Sequence, residues 1–514
     1  MPVDKADLFH SFLRGVADRI HPSAVRIDHP ISRAKLDVNG GPDPVRIEGR
    51  RPDEPDFLRT WANRRVALCR DEPAFRGAWA KMPSTRGGSI WHDGSLSLAS
   101  LIGCECRPRL FAFSLDPVRA FTRPAGTLGD LWAGSMIASR LLWAGLQIIC
   151  EELGPDHVIY PHVWGQPLFR AWLGEPADDR VRIPPFSNRL LAVTPHDGIG
   201  PKIRDGIAAE WERIAEAARL RLGDPDEDRW NRQTRDFWRC TWVSVPWGEN
   251  DGGVYAPVHA ASQEKLVAAK PSRSRPVGDC PQCGEFEVVR DGLCCLCLTK
   301  RFAGLEFPSP REVAYALLVM DGDHSGDLVR GKTLHGPRDV TPSYHLALSE
   351  ALAEFSLHSV PYVLKKHGGV SIYGGGDDVV AILPVANAIR AAREIRDLYR
   401  TPFAIRKADG AVAACPSPWS PAPGEVLITN PGDAATISAA VTLVNAKEPV
   451  MGLMEEARLL LDDVAKEKAG RDALAVAHRA SGAVVWGRWE SEIVRRLIEA
   501  DEAGTARLVS GGGP

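Results

Sequence analysis

What this sequence lacks first is charge of one sign. Lys and Arg number 63 and Asp and Glu 66, a formal net charge of −3 over 514 residues. That balance excludes a chain coated in nucleic-acid-binding positive charge and leaves room for a local basic groove only. Also missing is an uninterrupted apolar run of the ~18 residues that a membrane span needs, so no membrane partner is expected. The start, MPVDKADLFHSFLRG, has neither the basic stretch nor the apolar stretch of a secretory signal, and the expected compartment is the cytoplasm. Cysteine is not scarce. Eleven are present, five of them between residues 280 and 297. A chain this long makes about three domains at ~150 residues each and needs no disulfide staple. In a cytoplasmic setting such a cluster points to metal binding before disulfides.

Periodicity divides the chain. Residues 1–107 are rich in Arg, Pro and Asp with few periodic segments, and are expected to be irregular or in small helices. From 108 to 265 the pattern reads strand (RLFAFSLDPV), long apolar helix (LGDLWAGSMIASRLLWAGLQIICEELG), strand (HVIYP), strand (RLLAVTP), helix (KIRDGIAAEWERIAEAARLRLG). Residues 266–307 carry the cysteines. The same rhythm restarts over 308–488, and a helical tail closes 489–514. The expected class is α+β, with two ferredoxin-like palm domains, a zinc-binding module between them and helical additions.

Cys280 and Cys283 form one C-x-x-C pair, Cys294 and Cys297 a second, with ten residues between the pairs. Each pair can wrap one side of a tetrahedral ion, and four thiolates suit a closed structural zinc site. Reduced, partly buried thiols are the plain alternative. Cys295 is left as a spare or outer neighbour, and Cys104 and Cys106 as packing residues.

In SIYGGGDDVVAILPV, Ser371–Val385, three glycines and two aspartates separate two apolar runs. Adjacent strand residues point to opposite faces, so a flat strand cannot aim Asp377 and Asp378 at one ion, whereas a tight turn can. Gly374, Gly375 and Gly376 permit positive φ and clear side chains from the turn. A plain hairpin also uses Gly-Asp, but not three glycines, and adjacent like charges are costly without a cation. Upstream, ALLVMDGDHSGDL ends a buried-type strand at Met320 and presents Asp321, Gly322 and Asp323. In a ferredoxin-like sheet the first strand lies beside the central hairpin. Asp321 is therefore expected to face Asp377 and Asp378, a set of oxygens suited to one or two Mg²⁺. Lys466, Lys468 and Arg471 follow the last long helix as candidate triphosphate contacts, or as a solvated helix end.

The turn YGGGDDVVAILP resembles the palm motif of the large subunit of type III CRISPR effector complexes, the Cas ten family, called Cmr two in its Cmr (III-B-like) branch. The resemblance runs in order through MPSTRGGSIWHDGSLSLASLI, SLDPVRAFTRPAGTLGDLWAGSMIASRL, ELGPDHVIYPHVWGQPL, the paired cysteines, ALLVMDGDHSGDL and AKEKAGRDALAV, roughly residues 80–490. It implies target-RNA-activated synthesis of cyclic oligoadenylate from ATP, with Mg²⁺ (or Mn²⁺) as cofactor, Zn²⁺ as structural ion and ATP as substrate. It implies partners as well: a guide crRNA, target RNA, and the small and backbone Cas subunits of a prokaryotic complex. By motif match Asp321, Asp377 and Asp378 become catalytic metal ligands. Gly322, Gly375, Gly376, Lys466 and Arg471 become nucleotide contacts. The first palm carries Asp116 in SLDPV but no second Gly-Asp turn, and is expected to be non-catalytic. PVRAFTRPAG departs from the glutamine- and arginine-bearing family pattern.

Many relatives begin with an HD nuclease domain. Here His92-Asp93 falls just before the first palm and His196-Asp197 in a loop, while DHPISRAKLD around His29 resembles sequence downstream of an HD core. No HD-type DNase activity is expected. Two other readings remain beside the enzyme. One is a catalytically silent scaffold that binds nucleotide and anchors the guide-RNA complex. The other is a diguanylate-cyclase-like enzyme, which the Asp378-Val379 ending, the duplicated unit and the cysteine cluster fit poorly.

Overall fold

The computed structural model describes residues 25–38, 92, 104 and 107–502, except for short stretches at 177–178, 224–225, 249–253, 273–276, 309–312 and 421. In chain order the first elements are β1 (Val25–Asp28), β2 (Lys35–Val38), β3 (Arg109–Asp116), α1 (Leu128–Glu152), β4 (Val158–Tyr160), β5 (Arg189–Thr194), α2 (Ile199–Arg221), β6 (Arg239–Pro246), α3 (Tyr255–Ala269) and α4 (Cys295–Ala303). There follow β7 (Ala314–Gly322), the two-residue strands β8 (Lys332–Thr333) and β9 (Gly336–Pro337), and α5 (Pro342–Glu354). Next come β10 (Val370–Gly375), β11 (Asp378–Leu383), α6 (Ala388–Tyr399), β12 (Phe403–Arg406), β13 (Val412–Ala414), β14 (Val426–Thr429) and β15 (Ile437–Asn445). The last are α7 (Leu453–Leu459), β16 (Ala473–His478), β17 (Ala483–Arg488) and α8 (Glu492–Glu502).

Two sheets share one plan. The first has the order β4-β5-β3-β6; the second has the order β10-β11-β7-β15 and continues through β16 and β17. In each, the first strand of the unit lies between the third and the fourth, which is the ferredoxin-like arrangement that the strand and helix rhythm predicts. β7 is central and buried from Tyr315 to Met320 because both faces are covered. One core holds Leu318, Met320, Val379 and Ala381 under α5 and α6. The opposite face packs Leu317, Val319, Val380 and Ile382 against α7 and the start of α1.

α1 begins with a capping box, in which Thr127 and Asp130 satisfy each other's backbone N–H. By length and composition this helix is long and apolar enough to cross a bilayer, with a mean hydropathy of 1.3 in its best window. Asp130 and Arg140 interrupt it, so it is not the uninterrupted apolar run that the sequence lacks. In the fold α1 is a core helix, with Leu141, Leu142, Leu146 and Ile149 fully enclosed. It crosses α2 closely at Gly145, where a Cβ would lie 2.8 Å from Ile203.

Three features depart from the sequence expectation. Residues 25–38 are a β-hairpin rather than irregular or helical. Ile27, Leu36 and Val38 alternate inward and their side chains are buried, and Val38 bridges Trp419. The other residues of 1–107, His92, Cys104 and Arg107 apart, lie outside the described residues. A small sheet, β13-β12-β14, is inserted between α6 and β15. The segment ending in AKEKAGRDALAV leads into β16, which pairs parallel with β15. The long helix expected before it is α7 followed by a π-helical stretch, Leu460–Lys468.

Candidate active site

The register of the central strands sets up the acidic corner. Val379 of β11 pairs with Met320 of β7, and Gly375 pairs with Asp378 across the β10–β11 turn. One step further along the same antiparallel register, Asp378 stands opposite Asp321. Gly376 takes φ +80°, a conformation that glycine adopts without steric penalty. Gly322 is as constrained: a Cβ there would sit 2.8 Å from an Asp377 carboxylate oxygen. A Cβ on Gly375 would collide with the Tyr373 hydroxyl at 1.9 Å. Glycines at 322, 375 and 376 are thus what let the two chain segments and the two carboxylates close up.

Asp321, Asp377 and Asp378 are brought together. Burial raises the Asp378 carboxyl well above the ordinary carboxylate range, and the adjacent Asp321, within hydrogen-bonding reach, raises it further. Asp377 is raised by burial first and by Asp321 second, while the Ser325 hydroxyl hydrogen-bonded to it pulls the other way. Lys466 forms an ion pair with Asp321. Three acids crowded together, with the charged forms of Asp377 and Asp378 disfavoured, fit a divalent cation, which removes the repulsion and prefers oxygen ligands.

Asp323, two residues on, is not part of that cluster. It is 3% exposed and its carboxylate is fully engaged. It accepts from Ser438 Oγ at 2.8 Å, from Thr436 Oγ1 at 2.8 Å and from the Asp472 backbone N–H at 2.9 Å. Arg471 does not reach the carboxylates. Its side chain hydrogen-bonds to Glu467 at 3.0 Å, and Lys468 is exposed.

A cavity of about 270 Å³ opens beside Asp377 and Ser325, between the two palms. The second palm contributes Leu328, His345, Ser349 and Leu352; the first contributes Phe113, Tyr160, Arg189 and Leu190, joined by His259 and Gln263 of α3. The volume approaches the lower end of the ~300–1,000 Å³ typical of small-ligand sites. The sequence singled out none of these lining residues except Asp377. Half of them come from elements more than a hundred residues away in the chain, and no local motif marks them. Ser325 had a weak signal in lying two residues after Asp-Gly-Asp.

In the first palm Asp116 accepts from Ser114 Oγ at 2.9 Å and pairs with Lys270 at 2.9 Å. His29 is enclosed, with Nε2 2.8 Å from the Asn430 carbonyl and Nδ1 accepting from Ser32 N at 3.0 Å, so both ring nitrogens are engaged within the fold. His92 pairs with Glu350 at 3.2 Å, and Asp93 lies outside the described residues. His196 Nδ1 accepts from the Gly198 N–H at 3.1 Å.

The four paired cysteines converge: the sulfurs of Cys280, Cys283, Cys294 and Cys297 all lie within 4.8 Å of one another. Cys283 and Cys294 are 3.6 Å apart. A tetrahedral zinc with Zn–S of ~2.3 Å sets sulfurs ~3.8 Å apart, so the set fits the ion. Hydrogen bonds from Cys297 and Cys294 hold the Cys280 and Cys283 thiols below the ordinary thiol range. Cys295 is turned away. Burial raises its thiol to about 12, and its backbone N–H donates to Gln233 at 3.0 Å. Cys104 is buried, and Cys106 lies outside the described residues. Arg301 fastens α4 to the first palm through a two-pronged pair with Asp130 at 2.8 and 2.9 Å. Lys300 Nζ donates to the Phe121 carbonyl at 2.7 Å.

Two sequence families match the chain. One is described as Cas10/Cmr2, second palm domain, over residues 314–475; the other as CRISPR-associated protein Cmr2, N-terminal, over residues 110–216. The CRISPR system Cmr subunit Cmr2 of Pyrococcus furiosus is 24% identical over an alignment 576 positions long, gaps included, that covers 76% of this chain and 63% of the relative. The chain thus spans less than two thirds of that relative's length. Two solved structures share the fold. A type III-B Cmr-beta complex in the apo state matches with a TM-score of 0.64 at 13% identity, over 94% of this chain and 83% of that chain. The same kind of complex bound to cognate target RNA matches with a TM-score of 0.61 at 12% identity, over 98% of this chain and 87% of that chain.

Proposed function

The chain belongs to the Cas10/Cmr2 family, and on that premise we propose that it is the large subunit of a type III CRISPR effector complex, converting ATP to cyclic oligoadenylate when target RNA is bound. The observation that carries this proposal is the meeting of Asp321, Asp377 and Asp378 at one corner of the second palm, beside an open cavity. Asp321 and Asp378 hold the principal divalent ion in this proposal, and Asp377 completes the set. A bound Mg²⁺ or Mn²⁺ there lowers the charge on phosphate oxygens and makes a 3′-hydroxyl easier to deprotonate.

The chain's own residues do the rest. The turn Gly375–Gly376 leaves no side chain between the strand ends and an incoming nucleotide. Ser325 holds the Asp377 carboxylate in one orientation through its hydrogen bond. The interpalm cavity takes the nucleoside, with apolar walls at Leu328, Leu348 and Leu352 and polar groups at Tyr160, Gln263 and Ser349. Lys466, one side of which faces Asp321, exchanges that partner for a phosphate oxygen as ATP enters. The four cysteines hold a structural zinc, which has no open position for chemistry. The first palm, with Asp116 tied to Lys270, binds and orients without ligating metal. The partners in this proposal are a guide crRNA, target RNA and the other Cas subunits, in the prokaryotic cytoplasm.

The test is to assemble the complex and incubate it with ATP, Mg²⁺ and target RNA, following products by chromatography and mass. The proposal expects cyclic oligoadenylate from the unaltered complex and none from D377A/D378A. If the unaltered complex binds target RNA and leaves ATP unchanged, the synthase assignment fails and the scaffold role stands in its place.

A further inference from the structure

The second carboxylate of Asp-Gly-Asp has no role in the machinery proposed above, yet it is among the most completely bonded side chains in the fold. Its partners explain why. The Asp472 N–H that it accepts belongs to a turn in which three consecutive residues are left-handed: Gly470 at φ +81°, Arg471 at +64° and Asp472 at +43°. Two of the three are not glycine, and such residues persist in that region only where the surroundings hold them. Asp323 grips the turn from one side. From the other, Arg396, itself almost fully buried, takes the Asp472 carboxylate with two hydrogen bonds of 3.1 and 3.0 Å. The Arg471 N–H closes back on the Ala465 carbonyl at 3.2 Å, and Arg471 Nη1 lies 3.5 Å from the Lys466 carbonyl. Lys466 reaches Asp321 from this braced backbone.

We propose that Asp323 is a positioning residue: by clamping the left-handed turn Gly470–Asp472 between β7 and α6 it fixes the backbone from which Lys466 is presented to the Asp321 corner. It acts through the turn and touches neither metal nor nucleotide. This rests on the synthase assignment only for the kinetic consequence; the clamp itself is a property of the chain.

The experiment has two arms. In the assembled complex with ATP, Mg²⁺ and target RNA, Asp323→Asn, which keeps the size of the side chain but removes its charge and one acceptor, is expected to raise KM for ATP about tenfold, the scale of one lost charge-assisted phosphate contact, with a much smaller change in kcat. Adding D323N to Lys466→Ala is then expected to cause little further loss, because both act through the same amine. Independent, multiplying effects, or an unchanged KM, overturn the proposal. The second arm needs no activity. Hydrogen exchange on the full chain is expected to speed up at residues 465–473 in D323N while β10 and β11 keep their protection; unchanged exchange in that segment also overturns it. Thr436→Val, which removes one donor to Asp323 and alters little else, shifts both readouts in the same direction by less, so a poorly folding D323N does not leave the question open. A wild-type complex inert towards ATP sinks the synthase assignment alone, and the exchange arm still decides the clamp.

Discussion

At the scale of single residues, backbone conformation and charge crowding dominate. Gly376 sits at φ +80°, where an L residue pays roughly 1–2 kcal/mol. Gly376→Ala is therefore expected to lower unfolding free energy by about that much, read from a urea titration. Gly375→Ala should cost more, because the new methyl must displace the Tyr373 ring, whose hydroxyl now lies 1.9 Å from where a Cβ would go. The acids behave oppositely. Asp378 is held well above the usual carboxylate range by burial and by Asp321. Its ionised form is strained in the native state at neutral pH, so removing its charge relieves that strain. Asp378→Asn is expected to melt at a higher temperature than the unaltered chain, with zinc present and no added Mg²⁺, while making no product. A lower melting temperature would mean that the carboxylates are not in repulsive contact.

At the scale of elements, the cysteine module joins the first palm through α4. Gly129 and Gly304 touch backbone to backbone, and a Cβ on Gly129 would lie 2.4 Å from the Gly304 carbonyl oxygen. The Asp130–Arg301 pair locks the same crossing. Arg301→Leu leaves a fully buried carboxylate with only its Gly126 and Thr127 donors, a loss of roughly 3 kcal/mol, at the lower end for a broken buried pair because Arg301 is itself about a third exposed and water screens it. Neighbouring cysteines should separate cleanly. Cys294→Ala is expected to abolish zinc retention and lower the melting temperature, whereas Cys295→Ala keeps one zinc per chain, as measured by metal analysis of the purified protein. Equal loss from both would show that the ligand set is misassigned. The cysteine spacing made this module legible in the sequence, because two C-x-x-C pairs constrain the ligand geometry locally. The small sheet β12–β14 and the strand pair β16 and β17 were not legible as sheet. Their short strands carry little periodicity, and their pairing is decided by strands elsewhere in the chain.

At the scale of the whole molecule, the two palms meet at a buried ring cluster. The Tyr255 hydroxyl donates to His345 Nδ1 at 2.7 Å, and His345 Nε2 donates to the Val329 carbonyl at 2.8 Å. His259 packs on His345 with ring centroids 4.5 Å apart. Burial, and then His345, lower His259 to about 4; burial lowers His345 as well. Both rings are neutral in the folded state and take up protons near 6.5 when unfolded. The unfolded state therefore binds more protons between those values, so the stability contribution is complete above about pH 6.5 and is lost as the pH falls towards 4. The urea midpoint should drop steadily from pH 7 to pH 5, and His259→Gln should flatten that slope.

The sequence by itself determined the parts whose chemistry is local. The glycine-rich turn, the cysteine spacing and the twice-repeated strand and helix rhythm each depend on residues near one another in the chain, so the α+β palm plan could be read directly, and the expected sheet order then set Asp321 beside the turn. Tertiary structure alone decided the parts that depend on distant segments meeting. Asp323 becomes a brace rather than a ligand only because Ser438 and Asp472 fold back onto it. The cavity beside Asp377 exists only because the first palm supplies its far wall. Local conformation follows from neighbouring residues, but which side chains share a buried space is set by the packing of the whole chain.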